Sequence, residues 1–113
     1  PYVRPQETGT MSDLRWWNQT DGGGFGFRVE SDKMFSASAL HYDLLSLDEG
    51  EEKHQRHSQS VEKSKYTNLF IDLLQQGVGG VNSWDADGRA RKGHRVEYKD
   101  YTFKFRLSPK TVY

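Results

Sequence analysis

At 113 residues the chain holds one domain at most, since domains typically run to about 100–150 residues. Sixteen Lys and Arg balance sixteen Asp and Glu, so no net field draws the chain to nucleic acid or to an anionic membrane, and neither is an expected partner. No apolar run approaches the roughly 18–20 residues of a membrane-spanning helix, and the absence of cysteine excludes a disulfide scaffold, a thiol nucleophile and a Cys-based zinc site.

Aromatic residues make up 13% of a chain that is only 34% hydrophobic, a stock that disordered segments lack. The first residue is Pro1 and the first methionine is Met11, so the chain is expected to begin inside a longer product.

In chain order, Leu14–Thr20 is a weak strand candidate containing the adjacent pair Trp16 and Trp17. In a strand these two point to opposite faces, one packing inside and the other lying outward unless absent chain or a second sheet covers it. Asp21-Gly22-Gly23-Gly24 predicts a hairpin connection. From Gly24 to Glu30, apolar Phe25, Phe27 and Val29 alternate with Gly26, Arg28 and Glu30, the period of a half-buried strand. Ser31-Asp32-Lys33 reads as a polar turn, and Met34–Tyr42 as a further strand.

Asp43–Glu52 is the one predicted helix, with Asp43 as its cap, Leu44, Leu45 and Leu47 on its apolar side and Gly50 at its end. Gln55–Val61 is a second weak strand. Thr67–Leu74 is apolar at nearly every position, which suits a strand buried on both faces, with a helix left open by the pattern alone. Gly77-Val78-Gly79-Gly80 and the Asn82-Ser83-Trp84 that follows form a loop, as does the charged stretch Asp85–Arg95. Tyr101, Phe103, Phe105 and Leu107 alternate with polar residues in a closing strand. Six or so short strands and one short helix predict an all-β antiparallel sandwich.

Several candidate sites fail on spacing. Asp85-Ala86-Asp87-Gly88 opens like a calcium loop, but the twelfth position is Val96 and not the required Glu. His41, His54, His57 and His94 form no ligand pair on a supported helix. Arg89, Arg91, Lys92, His94 and Arg95 lack interleaved aromatics and read as a solvated loop. Gly22-Gly23-Gly24 does not meet the dinucleotide fingerprint.

The block Gly77-Val78-Gly79-Gly80-Val81-Asn82-Ser83-Trp84 resembles the C-terminal end of the large bacterial β-galactosidases of glycoside hydrolase family 2. Arg4-Pro5-Gln6-Glu7-Thr8-Gly9 and Asp13-Leu14-Arg15-Trp16 resemble the opening of that family's last domain. Ala39-Leu40-His41-Tyr42, Gln55-Arg56-His57, Asn68-Leu69-Phe70-Ile71-Asp72 and the stretch Tyr101–Pro109 follow in the family's order. The resemblance covers about Tyr2 to Pro109 and makes residues 1–113 a domain or part-domain, the C-terminal segment of a last domain.

The resemblance implies a galactose-mutarotase-like β-supersandwich, of which this chain is the C-terminal part, without implying mutarotase activity. It implies retaining hydrolysis of terminal β-D-galactosides such as lactose by the parent enzyme. That reaction needs two carboxyl groups about 5–5.5 Å apart. In the family both are glutamates of a preceding barrel domain, and none of this chain's seven Glu lies in a matching motif, so the chain alone is expected to be inactive. The family's magnesium and sodium ions are expected elsewhere in the parent, with no cofactor in this chain, and the parent is expected to be a homo-oligomer.

By the same resemblance Trp84 contacts the substrate, offering its indole face to the apolar C–H face of the sugar, with Gly79, Gly80, Asn82 and Ser83 supporting the loop. The family often carries acidic residues directly after the glycine block, where this chain has Val81 and Asn82, so no carboxylate contact is expected there. Two rival readings remain: a stand-alone carbohydrate-binding module with Trp16, Trp17 or Trp84 as platform, and a scaffold in which Trp84 anchors a domain interface.

Overall fold

A computed structural model of the chain describes residues 9–47, 61–77, 79–80 and 88–111. Four strands and one short helix occur among them: β1 (Met11–Thr20), β2 (Gly26–Leu40), α1 (Leu44–Leu47), β3 (Asn68–Asp72) and β4 (Arg106–Lys110). Every pairing is antiparallel, and every strand pairs with β2. β1 runs along one edge of β2, whereas the other edge is shared, with β4 on residues 26–30 and β3 on residues 36–40. The all-β antiparallel architecture with a single short helix is therefore the one the residue pattern predicts.

The hairpin joining β1 to β2 is built on Asp21. Its Oδ1 accepts the amide hydrogens of Gly23 at 2.8 Å and Phe25 at 3.0 Å, while its own N–H donates to the Phe25 carbonyl at 2.8 Å. Such side-chain-to-backbone bonds fix a turn that the glycines alone leave loose. Asp21→Ala should cost about 1 kcal/mol, read as a lower urea midpoint, and Asp21→Asn should recover most of it because the acceptor is kept.

Registers across β1, β2 and β4 assign the two faces. Trp17, Val29 and Leu107 stand in one row, and Trp16, Glu30 and Arg106 in the next. On the first face Trp17 packs with Leu14, Phe27, Leu69, Ile71 and Phe103 around the buried trio Val29, Phe35 and Ala37. On the second face Trp16 is 52% exposed, and the Arg28 guanidinium lies 4.5 Å from its ring centroid. Arg28 also pairs with Glu30 at 2.9 Å. The adjacent tryptophans divide between the faces as strand geometry requires.

Three predicted features need correction. Ser31–Lys33 is no turn: β2 runs through it, and the register slips there, with Leu14 opposite Phe35 but Trp16 opposite Glu30. The reason is tertiary, since Ser31 Oγ donates to the Lys104 carbonyl at 2.8 Å and Lys33 Nζ to the Thr102 carbonyl at 3.3 Å. The same clamping leaves 101–105 outside the ladder, so the closing strand begins at Arg106. Pro109 sits in that strand, where a missing N–H is tolerated at a sheet edge.

The Asp43 carboxylate does not cap α1. It accepts from Asn68 Nδ2 at 3.2 Å, tying the helix start to β3, while the Asp43 carbonyl receives the amides of Ser46 and Leu47. Beside α1, Tyr42 and Val61 form a small second cluster with Leu47. Residues 48–52 of the predicted helix and 55–60 of the weak strand lie outside the described residues.

Candidate functional site

The glycine block leaves the sheet shortly after β3. Gly77 donates its N–H to the His94 carbonyl at 2.7 Å, and the His94 N–H closes its own turn onto the Arg91 carbonyl at 2.9 Å. One residue earlier, Gln76 Oε1 accepts the Val96 N–H at 2.8 Å. The two segments approach so closely that a Cβ on Gly77 would lie 2.6 Å from both the Cβ and the carbonyl oxygen of His94. Glycine is required here for space, because Gly77 does not take a left-handed φ, unlike Gly79 at φ +85°. On the return side Ala90 is buried, and its carbonyl accepts from Arg95 Nε.

A groove of about 970 Å³ opens beside this base, with Lys33, Ser36, Gly77, His94, Lys99 and Tyr101 among its lining residues. The Lys99 ammonium is held above its ordinary lysine value chiefly by the hydrogen bond to the Glu97 carboxylate at 3.0 Å, and it lies 5.4 Å from the Tyr101 ring centroid. The Tyr101 hydroxyl donates to the Glu97 carbonyl at 2.7 Å. Charged groups of both signs, Lys33, Arg95, Glu97 and Lys99, stand around a lining that is largely apolar, with Met34, Phe35, Leu73 and Leu74 in it.

Of the residues the sequence nominated, Gly79 and Gly80 are described, Gly79 exposed and Gly80 half-buried. Asn82, Ser83 and Trp84 lie outside the described residues. Trp17 packs in the core, and Trp16 has one ring face taken by Arg28. The described histidines take other roles: His41 meets Thr67 Oγ1 at 3.3 Å through Nδ1, and His94 offers its carbonyl. Among the described residues no three His, Asp or Glu side chains are grouped to hold a metal ion. The contacts of Gln76, His94, Arg95 and Val96 were not signalled by any motif, because each relies on a main-chain partner that every residue carries.

A family model for the β-galactosidase small chain matches residues 1–107. The β-galactosidase BgaC of Bifidobacterium adolescentis is 38% identical over 87 residues, which cover 74% of this chain and 8% of that protein. The β-galactosidase of Priestia megaterium is 30% identical over 109 residues, 96% of this chain and 10% of the relative. That of Staphylococcus xylosus is 31% identical over 106 residues, 94% and 10% respectively. The chain thus spans about a tenth of the length of the curated relatives it matches. No solved structure matches it. With nearly its whole length under one family model, the chain belongs to the β-galactosidase small-chain family.

Proposed function

We propose that this chain completes the galactoside site of a larger retaining β-galactosidase by carrying Trp84 to it. The substrates are terminal β-D-galactosides such as lactose. The two catalytic carboxyl groups, and the magnesium and sodium ions the parent uses, belong to its other parts, so the segment by itself is inactive. The remaining domains of the parent are its first partners, together with further copies in a homo-oligomer. They complete a larger sandwich of which residues 1–113 are the C-terminal segment.

The observation that carries the reading is the anchored base of the loop: Gly77 clasped to His94, with Trp84 seven positions further along the chain. An anchored base leaves the chain fewer conformations to lose in bringing Trp84 to a sugar, and ordering a free loop at binding would subtract from the contact. The indole then buries the C–H face of galactose, while hydroxyl groups elsewhere on the sugar are left to polar partners. The module reading is disfavoured for Trp16 and Trp17, since one is stacked by Arg28 and the other packs in the core.

Steady-state kinetics of the parent enzyme with Trp84→Ala provide the test. Losing a stacked sugar contact should lower kcat/KM by roughly 5- to 150-fold, corresponding to about 1–3 kcal/mol. Trp84→Phe should retain part of it. Unchanged kinetics in a folded Trp84→Ala enzyme would remove the sugar contact and leave the segment a scaffold.

A further inference from the structure

We infer that the groove beside the glycine block is a docking site for an acidic segment with apolar side chains, supplied by the part of the parent enzyme outside residues 1–113. The inference rests on the reading of this chain as one segment of a larger enzyme, and it is independent of where Trp84 goes.

The groove lies where the sheet is least regular. Ser12 and Asp13 line it from the stretch of β1 where the register with β2 shifts, and Asp13 takes a left-handed φ of 58°. Residues 33–36 of β2, the residues after β3 and parts of the stretch 92–101 supply the other walls. Apolar side chains line it without being covered: Met34 is 52% and Leu74 50% exposed, and Val96 and Tyr101 are exposed as well. Single exposed apolar residues are ordinary on a protein surface, whereas four around one concavity mark a contact site.

Charge selects what can fill it. Lys33, Lys92, Arg95 and Lys99 line the groove against Asp13 and Glu97, an excess of positive charge in a chain whose Lys and Arg equal its Asp and Glu. Glu97 is already bound to the Lys99 ammonium at 3.0 Å, which leaves three cations to one carboxylate. A purely apolar occupant would strip water from those cations and return nothing for it. A small anion would leave Met34 and Leu74 in water. At about 970 Å³ the groove has room for several side chains, and a segment bearing both aliphatic groups and carboxylates meets the two demands together.

The supplier follows from length. The matched regions make up only 8–10% of the relatives, so most of the polypeptide that could meet this groove belongs to the parent and is tethered to it. A tethered segment acts at an effective concentration on the order of millimolar, which a free partner has to exceed.

The test uses the whole parent enzyme. Zero-length carbodiimide coupling joins a lysine amine to a carboxylate only where the two touch. Peptide mass spectrometry of the unaltered enzyme should find Lys33 or Lys92 joined to an Asp or Glu outside residues 1–113 of the same subunit. In an enzyme assembled from subunits of two isotopic compositions, a bond that carries both labels makes a second copy the occupant and overturns the proposal. Bonds confined to carboxylates within residues 1–113 overturn it as well.

A second arm reads exposure. Leu74→Cys should react with a water-soluble thiol reagent at least about tenfold more slowly than Tyr98→Cys, whose site is fully exposed in the segment. Lys92→Glu should then speed the Leu74→Cys reaction by about fivefold, and 1 M salt should do the same, because both weaken the charge contact. Equal rates at the two sites mean an open groove and overturn the docking. A slow site indifferent to both the charge reversal and salt overturns the acidic occupant. Should a variant fail to fold, the coupling experiment on the unaltered enzyme still decides. An ineffective Trp84→Ala moves none of these readouts, and an open groove leaves the sugar contact standing.

Discussion

Phe35→Ala should destabilise the sheet by about 3–5 kcal/mol, read as a shift in the urea unfolding midpoint followed by tryptophan fluorescence. Phe35 is 1% exposed and lies where β2 passes from its β4-paired half to its β3-paired half. It packs in the cluster with Val29 and Ala37, and its ring stands 6.3 Å from Phe103, tilted by 41°. Phe103 in turn meets Phe105 at 5.5 Å. Truncation removes the ring and leaves a cavity among side chains held by three strands, which cannot all collapse into it. Folded domains are stable by only about 5–15 kcal/mol, so this one change uses a large share. Phe35→Leu fills most of the space and should cost under about 2 kcal/mol. Equal losses for the two substitutions would argue against a packed ring at this position.

Gly26→Val should be at least as damaging, costing more than about 3 kcal/mol by the same measurement, for the opposite reason. A Cβ at Gly26 would stand 1.9 Å from the Gln19 carbonyl oxygen and 2.8 Å from the Thr20 Cα. Both are main-chain atoms of β1, so no rotamer change relieves the overlap. Gly26 is also paired on both sides, with Thr20 and with Lys110, and cannot move away from one strand without leaving the other. The Asp21 turn next to it would open first. Gly22→Ala, where no atom lies within 4 Å of the added carbon, is the matching control and should be nearly neutral.

These two positions differ in how far the residues themselves announce them. Phe35 is plain in the sequence as an apolar position of a predicted strand. Gly26 sits in a period-two run as one of its polar-side residues, and nothing about the run reveals that β1 passes so close. Period two carried the assignment of both halves of β2, because burial on one face imposes it directly on the residue order, whereas β3 was read from a continuous apolar run that suits burial on both faces and is only half-buried. It failed at Ser31–Lys33, where polar side chains that read as a turn are instead taken up by carbonyls of 102 and 104, far along the chain. A hydroxyl bound to a distant carbonyl and one bound to water look alike in a sequence.

The same limit applied at the loop base. The glycine block was visible as a block, and the resemblance gave Trp84 a role. The neck remained hidden because His94 contributes a carbonyl and Gly77 an amide. Residue type marks neither group.

The arrangement of the strands around β2 also orders their arrival. β1 and β2 are neighbours in the chain and can zip together as soon as both have been synthesised, since closing a five-residue connection costs little. β3 comes next, onto residues 36–40, whereas residues 26–30 keep a bare edge until β4 emerges last. An unpaired edge beside the apolar Val29 face is where a growing chain is open to mispairing with another copy. That edge carries Arg28 and Glu30, and the strand that finally covers it carries Pro109 and Lys110. Charge on an open edge is what discourages a foreign strand from docking in the interval. The half of β2 that waits longest for its partner is thus also the half that is chemically guarded.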